Sequence, residues 1–506
     1  MVKYVIIQAG GRGNRMGYLT ANKPKALISI NNEPLIIRTI KLFPKAKILI
    51  ISDYKSDLLK KYLSIYSPTD NYEIVKTHYK FDGGGIKQCL RKIPSKTPFL
   101  LIWCDLYLEN ANFINKLSSS TNYIGLSNQF KCRWSFQRGL PVEQPSKRRG
   151  IIGLFVFKDK KALSNIPNET EFCKFLRNDR VAMVQFYPEG IKEIGTLHKY
   201  SKFCNASLVS RAFNRIEVEK GILKKIPVNK QGMDLALLEK KWYQSLESYK
   251  IDFLPRILSY DPLTMKFING KPLYEMRMSL REKNNILKKI IEQIRTIHVI
   301  KPTKKQDYHQ NNDIAFLSKT KERMTKIASL IPLIDQDYIM INGKKCINVY
   351  KNFKIVEDLI KPYYSNDYKV IHGDITFSNI IFSSDSRIVF IDPRGYFGKE
   401  ILFGDEDYDW AKLYYSIIGD YDQFNRKNFR LTIDDNNISI KISSSGWHKL
   451  EKQFFKLINR DIRKIKIIHA IIWLSLTSYT WDNYDSICGA FYKGVYLIND
   501  ILEDDL

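Results

Sequence analysis

The sequence predicts an α/β chain of two domains, an open and largely parallel sheet over residues 1–200 and an α+β domain over residues 205–506. Three observations point there. Short β-branched runs recur through the first half with helix-length segments between them, the alternation of βαβ units. From about Phe203 the pattern changes to a hairpin-like alternation followed by a helical stretch. Much later, apolar runs flank loops that carry an Asp, an Asn and a second Asp in that order. A chain of 506 residues is long enough for two or three such cores.

The first element is Tyr4-Val5-Ile6-Ile7, a buried-strand run that stops at a glycine cluster. In Gly10-Gly11-Arg12-Gly13-Asn14-Arg15-Met16-Gly17 the glycines let backbone amides approach a polyphosphate, and Arg12 and Arg15 can neutralise its charge. A dinucleotide-binding turn would want an acidic residue about 20 positions on, at the end of the next strand. The chain runs instead into Lys23-Pro24-Lys25-Ala26-Leu27, and no Gly-Lys-Ser/Thr follows as a P-loop requires. A triphosphate-binding loop fits this stretch better than a plain turn.

Strands follow at 47–51 and 99–103, and the second of these delivers Cys104-Asp105. Ligands of open α/β sheets bind at the carboxyl ends of strands, so Asp105 stands where a magnesium ligand is wanted. Gly83-Gly84-Gly85-Ile86-Lys87 reads as a second flexible loop opening a helix, suited at Gly84 to close approach by a base or ribose. Glu193, in Lys192-Glu193-Ile194-Gly195-Thr196, supplies a later carboxylate; folded back beside Asp105, it could share Mg²⁺ with a triphosphate.

With those residues in view, the first 200 or so positions resemble the nucleotidyltransferases that couple an NTP to a sugar 1-phosphate or phosphocholine and release pyrophosphate. The resemblance implies a Rossmann-like, GT-A-like fold. It also implies catalytic roles for Arg15 and Lys25, nucleotide contacts at Gly10, Gly11, Arg12 and Gly13, and a metal at Asp105 and Glu193. Glu193 departs from the family, which usually has Asp before Ile-Gly-Thr.

In the second half, residues 215–226 alternate like a hairpin with a turn at Lys220-Gly221. Helical periodicity follows around Leu235, Leu238, Trp242 and Leu246, with Glu239 inside it. A strand lysine and a helix glutamate are the pair that holds a lysine against ATP phosphates. The stronger signal is VIHGDITFSNIIF followed by IVFIDPRGYFG: Asp374, then Asn379, then Asp392 18 residues after Asp374. Phosphoryl transfer needs an aspartate to accept a hydroxyl proton, an asparagine for one Mg²⁺, and a second aspartate on the metal.

Residues from about 205 to 506 thus resemble the aminoglycoside phosphotransferase and choline kinase family. That resemblance implies a two-lobed protein-kinase-like fold, N-lobe about 205–272 and C-lobe about 273–506. It implies Asp374 as catalytic base, Asn379 and Asp392 on Mg²⁺, and Lys224 on ATP paired with Glu239; Lys225 is the alternative to Lys224, because strand register is not fixed by one residue. Residues 267–273 match the connection between lobes, and the helix carrying Ile286, Leu287, Ile290, Ile291, Ile294, Ile297 and His298 keeps one apolar face. Pro393-Arg394-Gly395 departs from the residues usual after the second Asp.

Composition sets the remaining bounds. Lys and Arg total 81 against 53 Asp and Glu, a formal charge of +28, but the lysines are dispersed rather than gathered in one tract. That suits phosphorylated small molecules, with no stable nucleic acid partner expected. Seven cysteines without a C-x-x-C pair indicate neither zinc nor disulfides, and no apolar run is long enough for a signal peptide or a membrane span, so a cytoplasmic setting is expected.

Joined, the halves read as two steps. ATP phosphorylates a small hydroxyl compound, and that phosphate then attacks a second NTP, CTP or UTP among the candidates, with Mg²⁺ at both centres. The product would be a nucleotide-activated sugar or polyol for surface glycan synthesis. The alternative acceptor is choline or ethanolamine, for which Trp473, Tyr479, Trp481, Tyr484 and Asp482 are a candidate cation cage and Arg133-Trp134 a candidate acceptor wall under either option. A non-catalytic regulatory half is disfavoured because both halves keep their carboxylates and phosphate-binding cations.

Overall fold

The computed structural model describes residues 2–205, 214–301 and 307–504. The chain folds into two compact units, one of residues 1–209 with 482–484, the other of residues 210–481 with 485–506. The junction at 206–213 lies outside the described residues.

The first unit is built on a sheet whose centre is four parallel strands: β1 (Tyr4–Gln8), β2 (Lys47–Ser52), β3 (Tyr72–Lys76) and β4 (Phe99–Trp103). Their spatial order is β3-β2-β1-β4, with β1 paired in register to Lys47–Ile51 on one side and Phe99–Trp103 on the other. The connections carry α1 (Leu35–Leu42), α2 (Ser56–Tyr66) and α3 (Asp82–Lys92). The chain moves outward from β1 to β3 and then returns to the far side of β1, so the switch point lies between β1 and β4. Gln8 pairs with Trp103 there, which puts the glycine loop level with Asp105.

Beyond β4 come β5 (Leu106–Leu108), β6 (Tyr123–Ser127), β7 (Ser135–Gln137), β8 (Leu140–Val142) and β9 (Gly150–Phe157); β9 pairs antiparallel with β4 and extends the sheet. The antiparallel edge was not read from the sequence, which lacked a clean period there. β10 (Val184–Phe186) adds to β6, and β11 (Ile191–Glu193) folds back as the antiparallel partner of β5 before α4 (Leu197–Asn205). The central strands are buried almost throughout, as a sheet covered on both faces requires.

The second unit opens with β12 (Asn214–Glu219) and β13 (Ile222–Pro227), joined through Lys220 at φ 49° and Gly221 at φ 76°. Two successive left-handed residues make the tight hairpin turn that the Lys-Gly pair suggests. With β14 (Ile257–Tyr260) and β15 (Leu263–Lys266) they form a four-stranded sheet in the order β12-β13-β15-β14. Helix α5 (Lys230–Leu246), capped by Asn229 accepting from the Gly232 amide at 2.8 Å, buries Glu239, Trp242, Tyr243 and Leu246, one face at helical spacing.

The 267–273 connection runs into β16 (Gly270–Pro272), which pairs with the hairpin β17 (Ile380–Ser383) and β18 (Ile388–Phe390). Around it pack helices α6 (Leu280–Val299), α7 (Lys319–Ile327), α8 (Glu406–Ile417) and α9 (Ile462–Leu476). Helix α6 starts in a capping box of Ser279 and Glu282 and turns inward the apolar face expected of it, His298 included. Among the described residues no helix is long and apolar enough to cross a membrane. The six cysteines whose side chains are described are free and buried.

Candidate active sites

The glycine loop is held at its ends and open in its middle. Ala9 donates to the Ile51 carbonyl at 2.8 Å, and Met16, fully buried, plugs into a cluster with Ile28, Ile30, Leu35, Tyr107 and Ile194. Between these anchors Gly11, Arg12 and Arg15 are exposed. Gly13 sits at φ 71°, a region that favours glycine, and a Cβ there would press on Thr20 at 3.0 Å and Lys25 at 3.3 Å. Gly11 faces open space, where a phosphate could approach the backbone.

Asp105 leaves β4 at the switch point, and the β5–β11 pairing brings Glu193 opposite Leu106. The Ile194 amide donates to the Asp105 carbonyl at 2.8 Å, and Gly195 donates to Glu193 Oε1 at 3.1 Å. A Cβ on Gly195 would collide with the Glu193 carboxylate and crowd Asp105 Oδ2 at 2.7 Å, so glycine is what lets the two carboxylates meet. Two lysines face them: Lys25 Nζ lies 2.5 Å from Asp105 Oδ2, and Lys199 pairs with Glu193. Burial, with Arg15 and Lys25 nearby, lowers the Lys199 pKa against the pull of Asp105.

Among the described residues no three His, Cys, Asp or Glu converge as a metal cage. The Asp105–Glu193 pair fits Mg²⁺ all the same, since that ion takes one or two carboxylates and completes its shell with phosphate oxygens and water.

Two expectations for this half are corrected. The expected helix is present as α3, but residues 83–85 are its first turn and not a flexible loop before it: the Gly83 and Gly84 amides donate to the Thr170 and Asn168 carbonyls at 3.0 and 2.8 Å, and a Cβ on Gly84 would enter the Tyr79 ring. Those glycines serve close packing, and neither amide points at a ligand. Trp134 lies in the hydrophobic core, and Arg133 is tied to Glu143 and Glu171, so the pair does not line an open acceptor wall. Lys23 is buried, 1% exposed, and Lys25 reaches Asp105.

Residues 5–142 match the family profile of the MobA-like NTP transferase domain. This NTP transferase domain covers the glycine loop, Lys25 and Asp105; Glu193 follows it. A curated relative, mannose-1-phosphate guanyltransferase of Gibberella zeae, is 26% identical over 171 residues, 32% of this chain and 46% of that protein. The chain therefore spans about half the length of the curated relative it matches. Among solved structures, HddC from Yersinia pseudotuberculosis complexed with GMP-PN is 21% identical over 40% of this chain and 99% of that one, TM-score 0.35. CTP:phosphocholine cytidylyltransferase from Streptococcus pneumoniae is 20% identical with the same coverage, TM-score 0.32.

In the second unit, apart from the NTP transferase domain, a second constellation surrounds Asp374. His372 and Gly373 donate their amides to the two oxygens of Asp409 at 2.9 and 2.7 Å, which fixes the loop before Asp374. Burial lowers the His372 pKa; the neutral ring then donates from Nε2 to the Ile391 carbonyl at 3.1 Å and accepts the Asp374 amide at Nδ1, a tautomer assigned from these partners. Asn379, wholly buried, donates to the Asp374 carbonyl and to Asp374 Oδ2, both at 2.8 Å. Asp392 adopts φ 59°, and this left-handed bend aims its carboxylate at Lys225 Nζ, 2.7 Å away.

Lys225, rather than Lys224, pairs with Glu239, at 2.7 Å. The correction follows from the pleat: residue 225 lies on the face turned toward α5 while Lys224 is exposed on the other. The proposed cation cage also dissolves, because Trp473 is buried and donates to His469 at 3.0 Å, and the Tyr479 ring already carries Arg323 at 4.2 Å.

Four neighbouring cations were missed by sequence reading, Lys319, Arg323, Arg394 and Lys412, and one of them, Lys412, meets Asp374. They come from three distant segments, and only the unusual Pro393-Arg394-Gly395 signalled one of them.

Proposed function

We propose that the chain is a bifunctional enzyme: the second unit phosphorylates a small hydroxyl compound from ATP, and the NTP transferase domain couples a phosphorylated sugar or polyol to an NTP with release of pyrophosphate. The observation that carries the transfer half is the convergence of Asp105 and Glu193 at Gly195, beside Lys25 and below an exposed glycine loop. The 26% identity to a mannose-1-phosphate guanyltransferase supports a sugar 1-phosphate acceptor over phosphocholine.

In the transfer half the acceptor's phosphate oxygen attacks the α-phosphorus in line, and the bond to pyrophosphate breaks. No protein nucleophile is needed. Arg12, Arg15 and the amides at Gly10 to Gly13 bind the triphosphate, while Lys25 neutralises charge that grows on the phosphates. Mg²⁺ held by Asp105 and Glu193 would polarise the α-phosphate.

In the kinase half Asp374 accepts the hydroxyl proton, Asn379 orients it, and Lys225, anchored by Glu239, contacts ATP phosphates. Asn379 and Asp392 are oxygen donors suited to Mg²⁺, which would neutralise the phosphate charge there. The test is to incubate the full chain with Mg²⁺, ATP, each NTP and a panel of sugars, sugar phosphates, polyols, choline and ethanolamine, and to follow ADP and pyrophosphate. Formation of neither product with any member would refute the proposal; pyrophosphate from a sugar 1-phosphate and an NTP, without ATP, is the expected direct reaction.

A further inference from the structure

Four cations gather in the second unit, and one of them reaches Asp374. Lys319 and Arg323 stand one turn apart on α7, Arg394 follows β18, and Lys412 stands one turn after Tyr408 on α8. Lys412 Nζ lies 3.0 Å from Asp374 Oδ1. Arg394 donates to the Tyr408 hydroxyl at 2.7 Å and the Tyr396 hydroxyl at 2.9 Å, and its guanidinium stacks 4.5 Å over the Tyr396 ring. Arg323 donates to the Ser475 carbonyl and hydroxyl at 2.9 and 2.8 Å. Burial, then the fields of Arg394, Arg323 and Lys412, hold the Lys319 pKa well below the ordinary lysine value.

What sets the cluster apart is its missing counter-charge. Several half-buried or buried cations elsewhere in this unit meet carboxylates, Lys225 with Glu239, Lys464 with Asp405 and Asp407, Arg460 with Asp407, while among the described residues Lys283 and Lys493 stand singly without one. Among the described residues no carboxylate lies within 4.0 Å of Lys319, Arg323 or Arg394, and Lys412 has Asp374 alone. Half-buried cations against one carboxylate repel one another, and the repulsion is relieved either by loss of the Lys319 proton or by an anion that joins them.

We propose that the acceptor of the kinase half carries a phosphate monoester besides the hydroxyl it presents to Asp374, and that Lys319, Arg323 and Arg394 hold that phosphate. This rests on the kinase reading above and names its substrate class. A phosphate of charge about −2 with three acceptor oxygens answers the cluster better than a carboxylate, and the two guanidinium forks suit it. A quaternary ammonium is repelled, and the rings that could have cradled one, Tyr396 and Tyr479, are already covered by guanidinium groups. In the step itself the hydroxyl oxygen bonds to the γ-phosphorus, the bond to the ADP oxygen breaks, and the hydroxyl proton passes to Asp374. The product carries two phosphates.

The test uses the full chain and glycerol 3-phosphate as probe, with glycerol, a sugar acid, inorganic phosphate and choline as the other arms. Calorimetry is expected to find binding of the phosphate monoester at least about tenfold tighter than of glycerol or choline, weakened at least about tenfold in Arg323→Gln and Lys319→Gln and partly rescued in Arg323→Lys. Tighter binding of the sugar acid would assign the cluster to carboxylates, and equal binding by wild type and both variants, or none, would overturn the site. ADP formation with Asp374→Asn is the separate arm: if it survives, the kinase reading fails while the anion site is judged by binding alone.

Discussion

Lys25 Nζ stands 2.5 Å from Asp105 Oδ2, an ion pair at the carboxyl end of β4 whose side chains are 11% and 9% exposed. It joins the proline-lysine turn after the glycine loop to the carboxylate expected to bind metal. Lys25→Met is expected to lower pyrophosphate formation about 10²-fold, the scale of losing one charge-stabilising donor. It also leaves a buried carboxylate unpaired, so thermal stability falls in metal-free buffer and recovers in the Lys25→Met/Asp105→Asn double variant, which a double-mutant cycle measures.

Only glycine leaves room at position 195 for the two carboxylates. Gly195→Ala drives a methyl into the Glu193 carboxylate, and displacing the pair is expected to cost about 10²-fold in pyrophosphate formation. Gly11→Ala meets nothing within 4 Å, so it should keep the melting temperature and raise KM for the NTP. Equal behaviour of the two variants in the pyrophosphate assay would count against both roles.

The pleat assigns Lys225 and not Lys224 to the buried pair. Removing Lys225 leaves Glu239 and Asp392 without their shared cation, at a cost of about 3–5 kcal/mol. Lys224→Met, on the exposed face, is expected to stay within about 0.5 kcal/mol of wild type and to keep ADP formation. Chemical denaturation of the two variants side by side decides it.

His298 couples pH to the loop before Asp374. Burial opposes charging of the ring, but Asp409, 3.2 Å from Nε2, and Glu406, 3.5 Å from Nδ1, outweigh it and raise the pKa above the ordinary value of 6.5. A raised folded pKa contributes stability in full below about 6.5 and loses it as pH rises through the folded value. The stability advantage of wild type over His298→Asn should therefore shrink from about pH 6 to about pH 9. A gap that widens with pH over that range would show that the ring is held neutral, and a constant gap that its pKa is unshifted.

The parts of the fold legible in the sequence were those written in local code. A β-branched run halted by glycine marked β1, strand ends marked Asp105 and Asp392, and Lys220-Gly221 marked a hairpin turn. What escaped depends on which face a residue presents or on distant segments meeting. Lys224 and Lys225 differ only in pleat, because Ile222, Leu223 and Ile226 do not alternate cleanly. Gly83 to Gly85 look like a loop until Asn168 and Thr170 take the first two amides and residues 167–170, Tyr79 and Ile51 fill the space side chains would need. The cation cluster draws on positions 319, 323, 394 and 412, and no local pattern announces such a meeting.

The central claim is that one chain holds two separate phosphate-transfer centres, and crossing two variants tests it most directly. Pyrophosphate release from a sugar 1-phosphate with Mg²⁺ and an NTP, and ADP formation from ATP with a phosphorylated polyol, are measured on full-length Asp105→Ala and Asp374→Asn. The account predicts that Asp105→Ala abolishes pyrophosphate and keeps ADP, while Asp374→Asn does the reverse. Pyrophosphate release that survives Asp105→Ala, or ADP formation that survives Asp374→Asn, would contradict it.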